Sequence, residues 1–177
     1  MIPVTLKEGE NILSCEASFS SKDRFSEYTV EGQPDHICGY VAFKASATDD
    51  GVPRYRPLLV IAEEQATQAY CKDRAIWESI VRAAKAVNVS ITVQGWRTPA
   101  GALWTANNLI NTDAPSIRIS GALLITEVEF KKDNSGTTTV LVLKRQDAFL
   151  PDPTLDGVNY NFEPVKSKKV QKTVKGL

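Results

Sequence analysis

The side chains of this chain that could do chemistry are few and widely spaced. There is one histidine, His36, and there are three cysteines, Cys15, Cys38 and Cys71. A zinc site needs clustered Cys or His, and a nucleophilic triad needs a histidine with an acid and a nucleophile around it. Neither pattern is present, so His36 reads as a satisfied or solvated loop side chain. The cysteines read as small apolar fillers of a protein made in a reducing compartment. Glu127 and Glu129 have the spacing that puts two carboxylates on one strand face, but the alternate positions are apolar, which makes them a solvated face rather than an acid/base pair. Two other groups suit binding better than catalysis. Arg54 and Arg56 flank Tyr55 as a phosphate clamp does, and Trp96 and Trp104 bracket a Pro/Gly turn in GWRTPAGALW, as a stacking platform could. The plainer readings are rim charges at the start of a strand and two large cross-strand packers. No GxxxxGK, GxSxG or HExxH string occurs.

Composition narrows the classes further. At 177 residues the chain has room for one domain with a sizeable core, with or without a tail. Lys plus Arg and Asp plus Glu are 21 each, so no overall basic field drives nucleic-acid binding, and the repulsion that keeps many proteins monomeric is weak. Lys7, Glu8 and Glu10 interrupt the start before any apolar run develops, which excludes a signal peptide there, and no window has the roughly eighteen apolar residues of a membrane span. A soluble protein made in the cytoplasm is the expectation.

The elements that must position these residues are mostly strands. Leu13, Cys15, Ala17 and Phe19 alternate with polar residues, which predicts a strand with Leu13 and Phe19 inward. A second strand runs from Phe25 to Glu31, with Tyr28 and Val30 on one face. A third, Ile37 to Ala45, is apolar on both sides. Residues 46–53 read as an exposed loop, and Leu58 to Ala62 as a buried strand. From Gln65 to about Val87 the period becomes helical, with Ala66, Tyr70, Trp77, Ile80, Val81, Ala84 and Val87 on one face and Glu78 four residues before Arg82. This helix is expected to lie as a lid on the β core, with both hairpin tryptophans buried beneath Tyr70 and Trp77. Val89, Ile91 and Val93 alternate as a strand into the tryptophan turn, and a second strand carrying Asn107, Asn108 and Leu109 follows it. Asn111 to Pro115 reads as a turn. Leu123 to Lys131 is a long strand with Leu124, Thr126, Val128 and Phe130 on one face, joined through the Asp133–Gly136 turn to Thr137–Lys144. Beyond Phe149 the period is lost, and Val158, Tyr160, Phe162 and a scatter of lysines suggest a mobile tail suited to docking on a neighbouring subunit.

Three strings, KDRFSEYTVEG at 22–32, RYRPLLVIA at 54–62 and GWRTPAGALWTANNLI at 95–110, together resemble the baseplate hub proteins of Mu-like contractile-tailed bacteriophages, a family similar to the late control and tail hub proteins of other phages. The resemblance covers most of residues 8–150 and corresponds to the second half of the usual chain. It implies an α+β fold, a mostly antiparallel, tail-tube-like β-barrel or split barrel with one long crossover helix. The expected organisation is a tube-like domain over 1–150, with the helix at about 65–87, and an extended Lys-rich tail over 151–177. The family implies a structural role in the virion tail baseplate: a trimeric hub joining the tail tube protein to the central spike protein, with no catalysis, cofactor, metal or nucleic-acid partner. A different class of reading is a β-barrel that binds nucleic acid or oligosaccharide through Trp96, Trp104, Arg54 and Arg56. A tail-borne cell-wall hydrolase is a third, set against the lack of a metal site or poised carboxylate.

Overall fold

The computed structural model describes residues 4–33, 43–62, 66–134 and 136–153. Among the described residues nine strands form two sheets, accompanied by one long helix, in keeping with the expected α+β class. The strands are β1 (Thr5–Lys7), β2 (Ile12–Phe19), β3 (Glu27–Glu31), β4 (Lys44–Thr48) and β5 (Pro57–Ile61). After the helix α1 (Gln68–Lys85) come β6 (Val87–Gln94), β7 (Leu109–Ala114), β8 (Ile119–Asp133) and β9 (Gly136–Lys144). The larger sheet has the order β1-β7-β8-β9-β6-β2 and curls into a half-barrel; the smaller is β4-β3-β5. All neighbours pair antiparallel except β1 with β7 and β3 with β5. The β5–α1–β6 connection carries the chain from the small sheet to the large one.

Alternation builds the larger core. Val89, Ile91 and Val93 of β6 face Leu141 and Leu143 of β9, Leu123 and Ile125 of β8, Ile110 of β7 and Leu6 of β1, all nearly or fully buried. Each large aliphatic side chain so buried contributes about 1.5–3 kcal/mol. The curl brings β1 and β2 together at one seam. Glu8 bridges to Ile12 across the turn that joins them, and Cys15 Sγ lies 3.8 Å from Ser116 Oγ in the one-turn 3₁₀ segment after β7. At this seam the free edge of β1 is covered by a side chain. Asn11 accepts from the Lys7 N–H at 2.8 Å and donates to the Thr5 carbonyl at 2.9 Å.

The helix covers the smaller core. Thr67 caps it, its hydroxyl accepting from the Tyr70 N–H at 3.2 Å. Cys71 and Ala75 pack with Ala66 and Ala62 against Val30, flanked by Ala45, Ala47 and Val60. Tyr28 is fully buried beside Val30 in the same strand, as its alternation predicts. Gly32 leaves the next connection close to the helix entry, where an added Cβ would come 3.1 Å from the Ala66 Cβ.

Several expectations are corrected. The helix does not lie on the larger sheet: its Cys71 and Ala75 join the small-sheet cluster, and Trp77 donates from Nε1 to the Leu150 carbonyl at 3.1 Å rather than roofing the other tryptophans. Leu13 is 57% exposed, because the register steps from Ile12↔Val93 to Ser14↔Thr92 and leaves Leu13 as the extra residue of a bulge. Phe19 keeps the inward phase of Cys15 and Ala17 but, at the last pair of the ladder, is also exposed. A second bulge at Thr126, between Ile125↔Leu143 and Glu127↔Val142, puts Leu123 and Ile125 in the core instead of Leu124 and Thr126, while Val128 keeps the inward phase. Residues 109–114 are a strand rather than a turn, with Ile110, Thr112 and Ala114 buried between β1 and β8. Ser46–Thr48 belong to β4 instead of a loop, and β5 is an edge strand with Leu59 and Ile61 exposed rather than a buried one. Most of the strand expected over 37–45 lies outside the described residues. Of the expected tail, Pro151–Pro153 are anchored, since Asp152 pairs with Arg74 and Pro153 is buried; residues 154–177 lie outside the described residues.

Candidate functional site

The GWRTPAGALW stretch forms a small hairpin arm of its own. Gly95 leaves β6 at φ +74°, and Gly101 turns the arm at φ +86°, a backbone region that glycine enters without a Cβ clash. The Thr98 N–H donates to Ala102 O at 2.7 Å, the Gly101 N–H to Thr98 O at 2.8 Å and the Trp104 N–H to Trp96 O at 3.2 Å. Arg97 pairs with Leu103 as an isolated bridge. The strands before and after the arm do not pair with one another, for β9 and β8 lie between β6 and β7. The expectation of a hairpin built from those strands is thus corrected to an arm that crosses the end of the sheet.

The arm sends its two tryptophans to different environments. Trp104 is 4% exposed and belongs to the large core. Trp96 is 38% exposed, donates from Nε1 to the Lys131 carbonyl at 3.0 Å and meets Phe130 edge-on at 6.1 Å between ring centroids. They do not form one platform, and the expectation that both are largely buried holds for Trp104 alone. Beside Trp104 a cavity of about 350 Å³ opens at the β1/β2 seam. It is lined by Val4, Leu6, Ile12, Leu13, Val93 and Pro99, with Glu10, Asn11, Gln94 and Arg97 as the polar contribution. The Trp104 Nε1 hydrogen has no acceptor.

The proposed arginine clamp is also taken apart. The Arg56 guanidinium donates to the carbonyls of Ser21 at 3.1 Å, Lys22 at 2.7 Å and Arg24 at 3.2 Å, and stacks 4.5 Å over the Phe25 ring. This ties down the polar break before β3 and turns the group inward on its own chain. Tyr55 is 78% exposed beside it. Arg82 approaches the same Phe25 ring at 5.6 Å and donates to Glu78 at 2.6 Å, the pair that helix spacing predicts. Glu78, 5% exposed, also accepts from Arg74 at 3.0 Å, so one buried carboxylate holds two guanidinium groups. The same spacing rule, read four residues backwards, finds Arg74. Arg24 holds Asp49 through two hydrogen bonds of 2.9 and 2.7 Å, a long-range pair with no signal in the sequence.

None of these groups is set up for bond-making. Glu127 and Glu129 are exposed on the outer face, as expected of solvated carboxylates, and Glu129 pairs with Lys131 at 3.1 Å. Burial pushes the Cys71 thiol up, away from the thiolate form. Burial likewise raises the Tyr28 phenol, whose oxygen accepts from the Phe25 N–H at 2.9 Å. The Ser116 backbone N–H, 3.0 Å from Glu8, holds that carboxyl below its ordinary range. Among the described residues no group of His, Cys, Asp and Glu could hold a metal ion, and no helix is long and apolar enough to cross a membrane. His36 and Cys38 lie outside the described residues.

Comparison with known proteins points to one kind of machine. Residues 67–152 match the family described as Mu phage baseplate assembly protein GpP, fourth domain, and residues 24–76 match that of tail protein NMB1110-like, third domain. The chain is 35% identical over 153 residues to the baseplate hub protein gp44 of Escherichia phage Mu, which covers 80% of this chain and 40% of that protein. The 43 kDa tail protein of prophage MuSo2 from Shewanella oneidensis superposes with a TM-score of 0.69 at 32% identity, over 82% of this chain and 44% of the other. The tail protein from Neisseria meningitidis MC58 has the same fold, with a TM-score of 0.67 at 23% identity, over 84% of this chain and 45% of the other. The chain thus spans less than half the length of these relatives.

Proposed function

Because this chain belongs to the family of phage baseplate and tail proteins that these relatives represent, we propose that it is a structural part of a baseplate hub, joining the tail tube to the central spike during virion assembly. The observation that carries this reading is the 35% identity to a baseplate hub protein over 80% of the chain. In this role residues 1–150 act as one tube-like unit and the chain beyond the anchored Pro151–Pro153 docks on a neighbouring subunit, with three copies to a ring. The protein works in the tail of the virion after synthesis in the host cytoplasm, and it needs no catalytic residue or cofactor.

The chain offers an assembly component surfaces that a freestanding monomer has little use for. Leu59 and Ile61 on the β5 edge, and Leu13, Phe19, Leu103 and Phe149 elsewhere, are all about half exposed or more. Binding of nucleic acid or oligosaccharide through the tryptophans and arginines gains no support, since Trp104 is in the core and Arg56 is bonded to its own backbone. Light scattering across concentration, with co-purification against tube and spike proteins, tests the proposal. The expected result is a mass above the monomer and retention of both neighbours; a monomer at all concentrations that retains neither would overturn it.

A further inference from the structure

We infer that the free edge of β5 takes residues 158–162 of a neighbouring copy as an added, parallel strand. The inference rests on the assembly reading for the copy that supplies the segment, and it names where the chain beyond Pro153 docks. The backbone of β5 selects the ligand. It pairs with β3 in parallel and, among the described residues, has no partner on its other side. The Ala62 N–H donates to the Glu31 carbonyl at 2.8 Å, so Leu58, Val60 and Ala62 bond towards β3, while Leu59 and Ile61 turn their N–H and C=O groups outward. Val60 packs on the side of Cys71 and Ala75, which leaves the Leu59 and Ile61 side chains on the opposite face, 55% and 62% exposed. Two other edges are capped: Asn11 covers β1, and the Gln68 amide donates to the Lys44 carbonyl of β4 at 3.0 Å. A row of alternating donors and acceptors beside exposed aliphatic side chains calls for an extended chain.

Residues 158–162, outside the described residues, match this edge in pattern, length and charge. The chain is held up to that point, with Asp152 paired to Arg74 and Pro153 buried. After residues 154–157, Val158, Tyr160 and Phe162 alternate with Asn159 and Asn161. These are strand-forming types in a stretch as long as β5, which has five residues. Neither Pro57–Ile61 nor 158–162 carries a charge, so nothing repels the pairing, and the three apolar side chains cover Leu59 and Ile61. The flanking charges select the direction. Laid parallel, Asp156 comes to Arg54 before β5, and Lys166 and Lys168 come towards Glu63 and Glu64 after it. Laid antiparallel, Asp156 meets the two glutamates instead. The edge and the segment are different surfaces, so each copy gives once and receives once, the head-to-tail contact from which a ring is built.

The test mixes two full-length variants. Leu59→Pro removes an outward donor and leaves the bonds to β3 in place, and Tyr160→Pro breaks the added strand. Each alone is expected to be monomeric by light scattering at concentrations where the unaltered chain assembles. Mixed in equal amounts they are expected to form a dimer, since one brings an intact segment and the other an intact edge. The Leu59 and Ile61 amides of the unaltered chain should exchange more slowly than those of Tyr160→Pro by about ten-fold or more. Assembly by either variant alone overturns the inference. So does a mixture that stays monomeric, because the segment then docks on its own chain or elsewhere, and so does an unaltered chain that is monomeric throughout. Should Leu59→Pro lose the circular dichroism spectrum of the unaltered chain, Ile61→Lys, which places a charge on the same edge, takes its part. Failure here with retention of tube and spike proteins leaves the baseplate reading standing, so the two can fail separately.

Discussion

Single side chains fix the least regular part of the molecule. Arg56 reaches three carbonyls in the 21–24 segment and covers Phe25, a fork that lysine cannot reproduce. Arg56→Ala should lower stability by about 1–3 kcal/mol, as expected for losing charged hydrogen bonds, and Arg56→Lys should recover little of it in a urea melt. Trp104→Ala should cost about 3–5 kcal/mol, the range for removing a large aromatic from a packed core, while Trp96→Ala, at a half-open position, should cost much less. Glu8 gives the pH dependence a sign. Its carboxyl is lowered in the folded chain by the Ser116 N–H, so its contribution is present above the unfolded value and is lost as pH falls through the folded one. Glu8→Gln should therefore flatten the acid side of a plot of melting temperature against pH and leave the alkaline side alone. Residue types revealed the alternation of Val89, Ile91 and Val93 and the Glu78–Arg82 pair, because both are local. They could not reveal Arg24–Asp49 or the carbonyls that Arg56 holds, because those partners meet only through the fold.

At the level of elements, the long periodic segments were legible and the single-residue irregularities were not. The helix, the β8–β9 hairpin and the strand pattern of β6 follow from periods that propensity and patterning express directly. Leu13 and Thr126 leave the faces that alternation predicts because a bulge adds one residue to one strand, and an alternating pattern gives no notice of where its phase changes. The strand β7 was hidden for another reason: Asn111 and Asp113 are turn-forming residues by type and Pro115 follows them, but pairing with β1 and β8 on both sides outweighs that preference. The bulge at Thr126 makes a distinct prediction. With that residue deleted, Ile125, Val128 and Phe130 keep their faces in plain alternation, so the variant should fold with the same partners but with less local twist. An unchanged far-ultraviolet circular dichroism spectrum with an altered near-ultraviolet tryptophan band would be the expected record.

Considered whole, the molecule has two cores on two sheets, joined through α1 and its flanking strands. Segments that share no core can open separately. Hydrogen exchange should show the amides of Tyr28 and Val30 protected to a lower free energy than those of Ile91 and Leu141, since the small sheet has three short strands and the large one six. The fold class was readable from the alternation and single helix, and the family from three strings, but the separation of the cores was not, because it depends on which sheet the helix faces. Asn11 has a consequence at this scale as well. An open strand edge is a template that can copy itself onto the next chain without limit, and by occupying the Thr5 carbonyl and Lys7 amide this one side chain removes that template from β1. At this seam, a single amide side chain separates a strand edge that is closed to further chains from one that would go on adding them.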